Sequence, residues 1–594
     1  MYFKVAAVFS DNMVLQQGKK VCIFGEAGDG IRVNVSYLGY NAEGVSADGH
    51  FRVYLPPMEA TKLPEGGSSE VMSCGSDMVI TVSFTDGREN ANGAGCENSG
   101  ADSAEESGRK IVFKNVVVGE VWLAGGQSNM EYELQNMIGG KDILNAENDL
   151  QDSGRRYSPF VRFYYTQKKG FIDEEFLQSE EKTCWNTFSA ENAKCWSAVG
   201  FLYARQLAEK LGVIVGVVGC NWGGTSASAW LDRESMLSDE DTRIYIDEYD
   251  EKTAGKTLSE MEKEYKEYEV EIAEWDRQAA KIWSEKPSLS WEEMQNILGP
   301  NRYPGPMGVY NPMRPTGLYE CMLKRIMPYT LRGFIYYQGE SDDHRPEVYY
   351  KLFTMLIRKW REYFEDEGLA FLHVQLPMHR YPADPDKKNW CIIREAQMKA
   401  YLDNAADGIA VGIDSGEFNE IHPKDKRNVS DRLARQALYK VYNVLPEREA
   451  FGPVFSKAES VEAGADSNSE NAVGSLVLTF DHAEEGFIVR AVNPSEDERA
   501  HETDIINNDG IIGFEIAGKD GVYYPAVVRF TDLKDNIKGS GTAVSCSSEA
   551  VKNTIILSSD KVKEPVSARY LWTNYGTVSI FGKDTGIPLA PFRF

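Results

Sequence analysis

A serine at position 128 is the first residue of this chain whose surroundings suggest chemistry. It lies in Gly125-Gly126-Gln127-Ser128-Asn129, directly after an apolar run over residues 116–124 that is typical of a buried strand. Small residues at a strand end let the backbone turn sharply, which presents a serine hydroxyl to a cleft. The same residue types are common in ordinary polar turns. The local spacing alone therefore leaves both interpretations open.

A serine hydroxyl becomes a nucleophile at neutral pH only when a base accepts its proton. Among the seven histidines, His422 fits this role best, because it lies just past a predicted strand end and just before a predicted helix. Carboxylates stand nearby at Asp414, Glu417 and Glu420. The acid that orients the imidazole stays open between Glu420, Asp414 and Glu340.

The other histidines of the central region are weaker candidates. His373 lies within an apolar run and is predicted to be a core residue, whereas His379 follows a strand end and is a candidate for the border of a cleft. His344 follows Asp342-Asp343, but no spaced set of further ligands accompanies it. We therefore predict no metal site.

An acyl-transfer reaction also needs hydrogen-bond donors for the tetrahedral oxyanion, each worth roughly 3 kcal/mol. The chain offers the Ser128 N–H, the amides of Gly223 and Gly224, and the Gln338 side chain. Each of these groups follows its own predicted strand.

The elements that position these residues are strands alternating with helices. Beyond residue 116, apolar runs at 213–218, 333–337, 371–376 and 408–413 are joined by segments of helical period. Such alternation is typical of an α/β fold with a parallel sheet covered by helices on both faces. Ligands bind such sheets at the carboxyl ends of the strands, where the candidate residues lie.

Both ends of the chain read as β-rich, with short alternating runs between Gly, Asp and Asn turns. We predict an N-terminal β-sandwich domain at 1–115, a catalytic domain at 116–445 and a C-terminal β-rich domain at 446–594. A helical insertion at about 238–300 interrupts the catalytic domain. Its apolar residues recur at alternating spacings of three and four: Leu258, Met261, Tyr265, Tyr268, Ile272, Trp275, Ala279 and Ile282. This stripe packs onto its own domain or forms a homodimer contact.

Charge and cysteine usage restrict the function classes. There are 91 acidic against 64 basic residues, a formal net charge of -27, which disfavours nucleic acid and anionic membranes as partners. We expect neither a secretory leader nor a bilayer-spanning stretch, and the nine cysteines have no zinc or Cys-x-x-Cys spacing. We therefore expect free thiols and a cytoplasmic protein.

Four motifs occur in a telling order: Gly126-Gln-Ser-Asn-Met130, Asn221-Trp-Gly-Gly-Thr225, Tyr337-Gln-Gly-Glu-Ser341 and Ile421-His-Pro-Lys424. Together they resemble the sialate O-acetylesterase family, the carbohydrate-esterase branch of the SGNH (GDSL-like) hydrolases. The resemblance covers nearly the whole chain. It implies an SGNH-type three-layer core flanked by all-β domains of sandwich or jelly-roll-like form.

The resemblance also implies a role for each matching residue. Ser128 corresponds to the nucleophile and His422 to the general base, with Ser128, Gly223, Gly224 and Gln338 forming the oxyanion hole. Asn129 and Glu340 are expected to support the site, and we add Asp414 as a further supporting residue. Trp222 and Gln127 lie in the motifs and are our candidates for substrate contact, with core packing as the alternative for Trp222. The family's usual Asp three residues before the histidine is Asn419 here. Glu420, which fills the slot of the branch's Asp-Ile-His-Pro motif, is our choice of acid.

The implied function is a serine esterase that removes O-acetyl groups from sialic acid or hemicellulose oligosaccharides through an acyl-serine intermediate, without metal or organic cofactor. One alternative is a glycan-binding protein with an inactive hydrolase core. Another is a lipase or thioesterase on the same scaffold. The sequence does not specify which sugar or which hydroxyl carries the acetyl group.

Overall fold

The structure is a computed structural model that describes residues 2–63, 68–84, 109–145, 157–286, 289, 291–381, 384–461, 473–492, 495, 497–531 and 552–594. The chain divides into two compact units. The first comprises Met1–Lys266, Pro304–Tyr336 and Met355–Phe371, and the second comprises Glu267–Tyr303, Tyr337–Thr354 and Leu372–Phe594. The three-domain division at residues 115 and 445 stays a prediction.

The fold is mixed α/β. The strands up to residue 337 are β1 (Phe3–Val5), β2 (Val14–Gln16), β3 (Val21–Ala27), β4 (Ile31–Tyr37), β5 (Tyr40–Val45), β6 (His50–Leu55), β7 (Ser76–Phe84), β8 (Arg109–Gly126), β9 (Val161–Tyr165), β10 (Asn186–Thr187), β11 (Val215–Asn221) and β12 (Gly333–Tyr337). Those that follow are β13 (Ala370–Gln375), β14 (Gly408–Val411), β15 (Val454–Val461), β16 (Ser475–Asp481), β17 (Phe487–Val492), β18 (Phe514–Ala517), β19 (Tyr523–Pro525), β20 (Val527–Phe530), β21 (Thr554–Ser558), β22 (Ser567–Tyr570), β23 (Val578–Gly582) and β24 (Phe592–Arg593).

Helices separate many of these strands. The α-helices are Ser68–Met72, Ser128–Glu131, Gly140–Asn145, Glu174–Glu180, Ala190–Ala193, Ala198–Leu211, Arg233–Leu237, Ile244–Thr253, Leu258–Glu285, Trp291–Leu298, Lys324–Ile326, Pro346–Tyr363, Asn389–Leu402, Arg427–Lys440 and Glu447–Ala450. Shorter 3₁₀ turns span Leu134–Asn136, Ser158–Phe160, Ala227–Trp230, Glu340–Asp342, Ile413–Ser415 and Glu498–His501, and one π-turn spans Tyr319–Leu323. The predicted insertion is helical, and its stripe residues Tyr268 and Ala279 are buried. The homodimer stays a prediction.

The long strand β8 organises the first unit. Its first half pairs antiparallel with β7, and its second half pairs parallel with β2 and β11. From residue 116 onward every residue of β8 is buried. Such a run fits a strand covered on both faces, in contrast to the alternating burial of β4. Residue 128 follows directly from this buried strand.

The second unit contains the parallel pair β13–β14 and three antiparallel groups of strands. Two of these groups have four strands each, in the orders β15-β16-β21-β20 and β19-β18-β22-β24. Leu478 and Leu557 of the first group share one apolar core with Ile516 and Tyr570 of the second. Alternating inward residues on both sheets produce this core.

The described residues contain neither a metal-binding cluster nor a membrane-spanning helix. Within those residues, no group of three or more His, Cys, Asp or Glu side chains is arranged to hold a metal ion. Nor does any described helix combine the length and apolarity needed to cross a membrane. The described cysteines are free thiols.

Candidate active site

Ser128 begins a short helix at the end of β8. Gly126 has φ 129°, a conformation that favours glycine, and it redirects the chain out of the sheet. The N–H groups of Met130 and Glu131 then both donate to the Gln127 carbonyl at 2.9 Å. Ser128 is half-buried, whereas Gln127 and Asn129 are buried. The serine therefore lies, half-buried, at the tip of a hydrogen-bonded strand-to-helix turn.

The end of β11 holds a second loop against this turn. Asn221 stands beside Gly126 in the parallel register, and its side-chain amide donates to the Ala124 carbonyl at 3.0 Å. The Trp222 N–H donates to the Gly126 carbonyl at 3.1 Å. These bonds place the Trp222-Gly223-Gly224 segment next to the Ser128 turn, as the strand-end prediction requires. The Trp222 side chain is half-buried.

Gly223 lies close to Ser128. A Cβ atom built on Gly223 would lie 3.2 Å from the Ser128 Cβ and 3.3 Å from Glu131 Oε2. Both separations are tighter than ordinary van der Waals contacts, so a side chain here would force its neighbours to shift by a few tenths of an ångström. The positive φ of Gly224, 74°, adds a conformational reason for the second glycine.

Glu131 makes two side-chain contacts near Ser128 that were not predicted from the sequence. Its Oε2 accepts the Gly223 N–H at 2.6 Å, and its Oε1 accepts from Lys168 Nζ at 2.5 Å. The Gly223 amide is thus already engaged by a carboxylate. Only the position of Glu131, one helical turn after Ser128, hints at this contact in the sequence.

In the second unit, Gln338 is fixed by three neighbours. Its Nε2 donates to Asp342 Oδ2 at 2.6 Å, and its Oε1 accepts from the Tyr349 hydroxyl at 3.1 Å. Gln397 Nε2 donates to the Gln338 carbonyl at 3.0 Å. An amide nitrogen carries two N–H groups, so the bond to Asp342 uses one of them. The side chain is therefore oriented, with its nitrogen identified as the donor.

His422 and Glu420 contact one another on the turn that follows β14. Glu420 Oε1 accepts the His422 backbone N–H at 2.9 Å and lies 3.7 Å from His422 Nδ1. The second distance exceeds that of a hydrogen bond but lies within ion-pair range. Both side chains are 36% exposed. Glu420 is thus placed on the Nδ1 side of the imidazole.

Asp414 has a different partner. Its two oxygens accept from Nη1 and Nη2 of Arg432 at 2.6 and 2.7 Å, and both side chains are buried. This bidentate geometry is the strongest form of a carboxylate–guanidinium pair. Since both oxygens are engaged by Arg432, the geometry favours Glu420 over Asp414 as the partner of His422.

Glu340 and Lys426 are two charged residues of the second unit. Glu340 is buried. Burial lowers the pKa of Lys426 to about 7, although the charges of Glu340, Glu420, Glu417 and Asp425 act to raise this pKa. Lys426 Nζ also lies 5.6 Å from the centre of the Tyr337 ring. A buried lysine at this position was not foreseen from the sequence.

His373 is buried, His379 is half-buried, and both imidazoles are neutral. Burial lowers the pKa of His379 to about 4 and that of His373 to about 3. The His373 ring contacts the Gln397 carbonyl at 3.1 Å within the core, which confirms its predicted place. A histidine with so low a pKa is a poor general base near neutral pH, so neither competes with His422.

Three comparisons with known proteins accompany this geometry. Residues 307–438 match the family described as carbohydrate esterase, sialic acid-specific acetylesterase. The mouse sialate O-acetylesterase is 26% identical over 394 residues, which cover 62% of this chain and 63% of the mouse protein. The human sialate O-acetylesterase is 24% identical over 384 residues, 60% of each chain. The resemblance to the sialate O-acetylesterases is confirmed.

The similarity to the sialate O-acetylesterases covers part of each protein. The chain spans about three fifths of the length of these relatives. The family match includes Gln338, Glu340, Asp414, Glu420 and His422, but it begins at residue 307 and so does not include the Ser128 turn. The crystal structure of a carbohydrate acetylesterase from Xanthomonas citri covers 100% of this chain and 99% of its own, with a TM-score of 0.64 and 24% identity. That likeness concerns the fold.

Proposed function

We propose that this protein is a carbohydrate O-acetylesterase that works through an acyl-serine intermediate. The observation that carries the proposal is the Ser128 turn, against which the Gly223 loop packs so closely that a Cβ built on Gly223 would lie 3.2 Å from the Ser128 Cβ. Likeness to sialate O-acetylesterases supports acetylated sugars as the substrate class. The mixed α/β fold supports the finer proposal of an SGNH-type three-layer core with flanking all-β domains.

In the proposed reaction, His422 Nε2 accepts the Ser128 proton, since Glu420 lies on the Nδ1 side. Ser128 Oγ attacks the acetyl carbonyl carbon and forms a tetrahedral intermediate. When the carbon–oxygen bond to the sugar breaks, the imidazolium gives its proton to the sugar oxygen. Water, activated by the same imidazole, then attacks the acetyl-serine, and acetate leaves.

The proposed oxyanion donors are the Ser128 N–H, the amides of Gly223 and Gly224, and Gln338 Nε2. Preorganised donors of this kind cost no reorientation during the reaction, and the fixed orientation of Gln338 suits that role. A substrate oxygen must compete with Glu131 for the Gly223 N–H.

Four further residues near the candidate site have proposed supporting roles. Asn129 and Glu340, both buried, hold the hydrogen bonds of their loops. Trp222 is half-buried and is assigned to stacking on the sugar, with Gln127 beside it. The proposal places the enzyme in the cytoplasm, acting on soluble oligosaccharides, and a reporter fusion followed by cell fractionation tests that location.

The test measures hydrolysis of a chromogenic acetyl ester by wild type, Ser128→Ala and Ser284→Ala. Ser284 is an exposed helix residue whose hydroxyl donates to the Lys281 carbonyl of its own helix, and it serves as the matched control. We expect Ser128→Ala to lose at least about 10³-fold in kcat/KM and Ser284→Ala to match wild type. Equal rates for wild type and Ser128→Ala would contradict the proposal.

Two substrate panels separate the alternatives. Esters of increasing acyl length distinguish an acetylesterase, which prefers acetyl, from a lipase, which prefers long chains. Acetyl release from acetylated sialosides and hemicellulose oligosaccharides identifies the sugar. Binding of these oligosaccharides by wild type without acetate release would instead indicate a glycan-binding protein.

A further inference from the structure

The turn that carries His422 rests on a neighbouring segment of the second unit. Asn419 has φ 59°, a left-handed conformation that asparagine tolerates better than most residues, and its N–H donates to the Arg380 carbonyl at 2.8 Å. On either side of it, Glu417 and Glu420 form an antiparallel bridge. The backbone of the turn is therefore bridged internally and hydrogen-bonded to residue 380.

The side chain of Arg380 extends this attachment. It is only 3% exposed. Its guanidinium carbon lies 5.7 Å from the centre of the Phe418 ring, while Nη2 donates to the Arg499 carbonyl and Nη1 donates to Thr503 Oγ1 at 3.3 Å. One face of the planar Arg380 guanidinium thus lies against the His422 turn. The edge of the guanidinium donates hydrogen bonds to the 499–503 segment.

A second contact joins the same two segments. The Thr503 hydroxyl donates to the Tyr575 carbonyl at 2.9 Å, and the Tyr575 ring meets the Phe418 ring edge-on, with centroids 5.5 Å apart. Phe418, Arg380, Thr503 and Tyr575 therefore form a closed circuit of contacts. Displacement of the His422 turn must break at least one contact of this circuit.

We propose that Arg380 is a positioning residue for His422, acting through the Phe418–Glu420 turn. The inference rests on the proposed esterase function, in which His422 is the base. Arginine suits the position because its rigid fork bonds a carbonyl and a hydroxyl together while its plane covers a ring. Lysine offers a charge but no plane, so it restores the function only in part.

The kinetic test compares Arg380→Met, Arg380→Lys and Arg427→Met. Arg427 is exposed, lies close to His422 in sequence and pairs only with Asp425 among the described residues, which makes it the matched control. A misplacement of about 1 Å costs up to roughly 10²-fold in rate. We therefore expect Arg380→Met to lower kcat roughly 10- to 100-fold with KM changed less than about threefold. Arg380→Lys should fall between Arg380→Met and wild type, and Arg427→Met should match wild type.

Amide hydrogen exchange tests the positioning role of Arg380 without depending on enzyme activity. Amide hydrogen exchange in peptides covering residues 414–424 should accelerate in Arg380→Met but not in Arg427→Met, since the side-chain contacts that restrain the turn are lost. Unchanged exchange together with unchanged kcat in Arg380→Met would overturn the proposal. Loss of wild-type kcat in Arg427→Met as well would also overturn it, because the effect would then not be specific to Arg380.

Two further variants guard against misfolding. Phe418→Leu removes the ring that Arg380 covers but leaves the arginine's hydrogen bonds, and we expect the same direction of change in kcat and exchange at smaller size. If Arg380→Met does not fold, Arg380→Lys and Phe418→Leu decide the question by the same two measurements. If Ser128→Ala keeps the wild-type rate, the esterase proposal fails, whereas the exchange result still reports on how Arg380 restrains the turn.

Discussion

Lys426 provides the sharpest prediction about stability. It is 1% exposed and lies directly before the helix Arg427–Lys440. Burial lowers the pKa of Lys426 from 10.5 to about 7, which means that the cost of burying the charge exceeds the attraction of the surrounding carboxylates. Lys426→Met keeps the length of the side chain and removes the charge, so we expect the folded protein to become more stable.

The size of the effect follows from the pKa. A tenfold change in proton affinity corresponds to about 1.4 kcal/mol, so a pKa lowered from 10.5 to about 7 sets an upper bound of about 5 kcal/mol. Methionine will not fill the space of the lysine perfectly, and imperfect packing costs about 1–2 kcal/mol. We therefore expect Lys426→Met to raise the free energy of unfolding by about 3 kcal/mol at neutral pH.

The pH dependence has a definite sign. Because the pKa of Lys426 is lower in the folded chain than in the unfolded chain, the unfolded chain binds more protons between about pH 7 and pH 10.5. Wild-type stability therefore gains from this group as pH rises through that window, and the advantage of Lys426→Met shrinks accordingly. Below about pH 7 the advantage is constant.

Urea unfolding followed by tryptophan fluorescence checks both expectations at about pH 6 and about pH 9.5. Lys424→Met is the matched control, because Lys424 is exposed on the same turn and should change stability by less than about 0.5 kcal/mol. A Lys426→Met variant that is less stable than wild type at both pH values would refute the reasoning. So would an advantage that does not narrow toward alkaline pH.

Three further predictions concern the site. Glu420→Gln should lower kcat roughly 10²- to 10⁴-fold, because an amide does not stabilise an imidazolium as a carboxylate does; steady-state kinetics measure this. Asp414→Asn should lower the free energy of unfolding by about 3–5 kcal/mol, since it leaves the buried Arg432 without its counter-charge; denaturant titration measures it. Gly223→Ala should lower kcat roughly 10- to 10²-fold, because its methyl group would press on the Ser128 Cβ at 3.2 Å; the acetyl-ester assay measures it.

Each of these predictions has a contrary result. An unchanged rate in Glu420→Gln would transfer the role of acid to Glu340. Asp431→Asn, which breaks a part-exposed pair with Arg435 one turn apart, is the control for Asp414→Asn and should cost less than about 1 kcal/mol. Equal losses in the two variants would contradict the importance of burial. A fully active Gly223→Ala would show that the two loops separate more easily than their hydrogen bonds indicate.

Local periodicity explains which elements were predictable. The N-terminal region was predicted to be β-rich from its short alternating runs, and strand β4 (Ile31–Tyr37) shows this alternation, since its residues are buried and half-buried in turn. The helix Leu258–Glu285 was predicted from a stripe that recurs every three or four residues. Both signals lie within one element, so the sequence displays them directly.

The unforeseen features depend on residues far apart in the chain. Arg432 reaches Asp414 across 18 positions, and Glu131 accepts the Gly223 N–H across 92 positions. Lys426 looks like a surface residue in Lys424-Asp425-Lys426, and only the fold buries it. Sequence position indicated which loops carry the candidate residues, whereas the partner of each side chain is decided by how distant segments pack.

The continuity of β8 limits how this protein can be divided. One uninterrupted strand, Arg109–Gly126, begins in an antiparallel pairing with β7 and ends at the turn that presents Ser128. Any cut or insertion near residue 116 would therefore divide the strand that carries the candidate nucleophile at its far end. In engineering, the N-terminal strands are not an exchangeable module, and fusion partners or grafted domains belong at the chain ends instead. For the same reason, recombination between relatives should be tolerated only where it transfers β7 and all of β8 together.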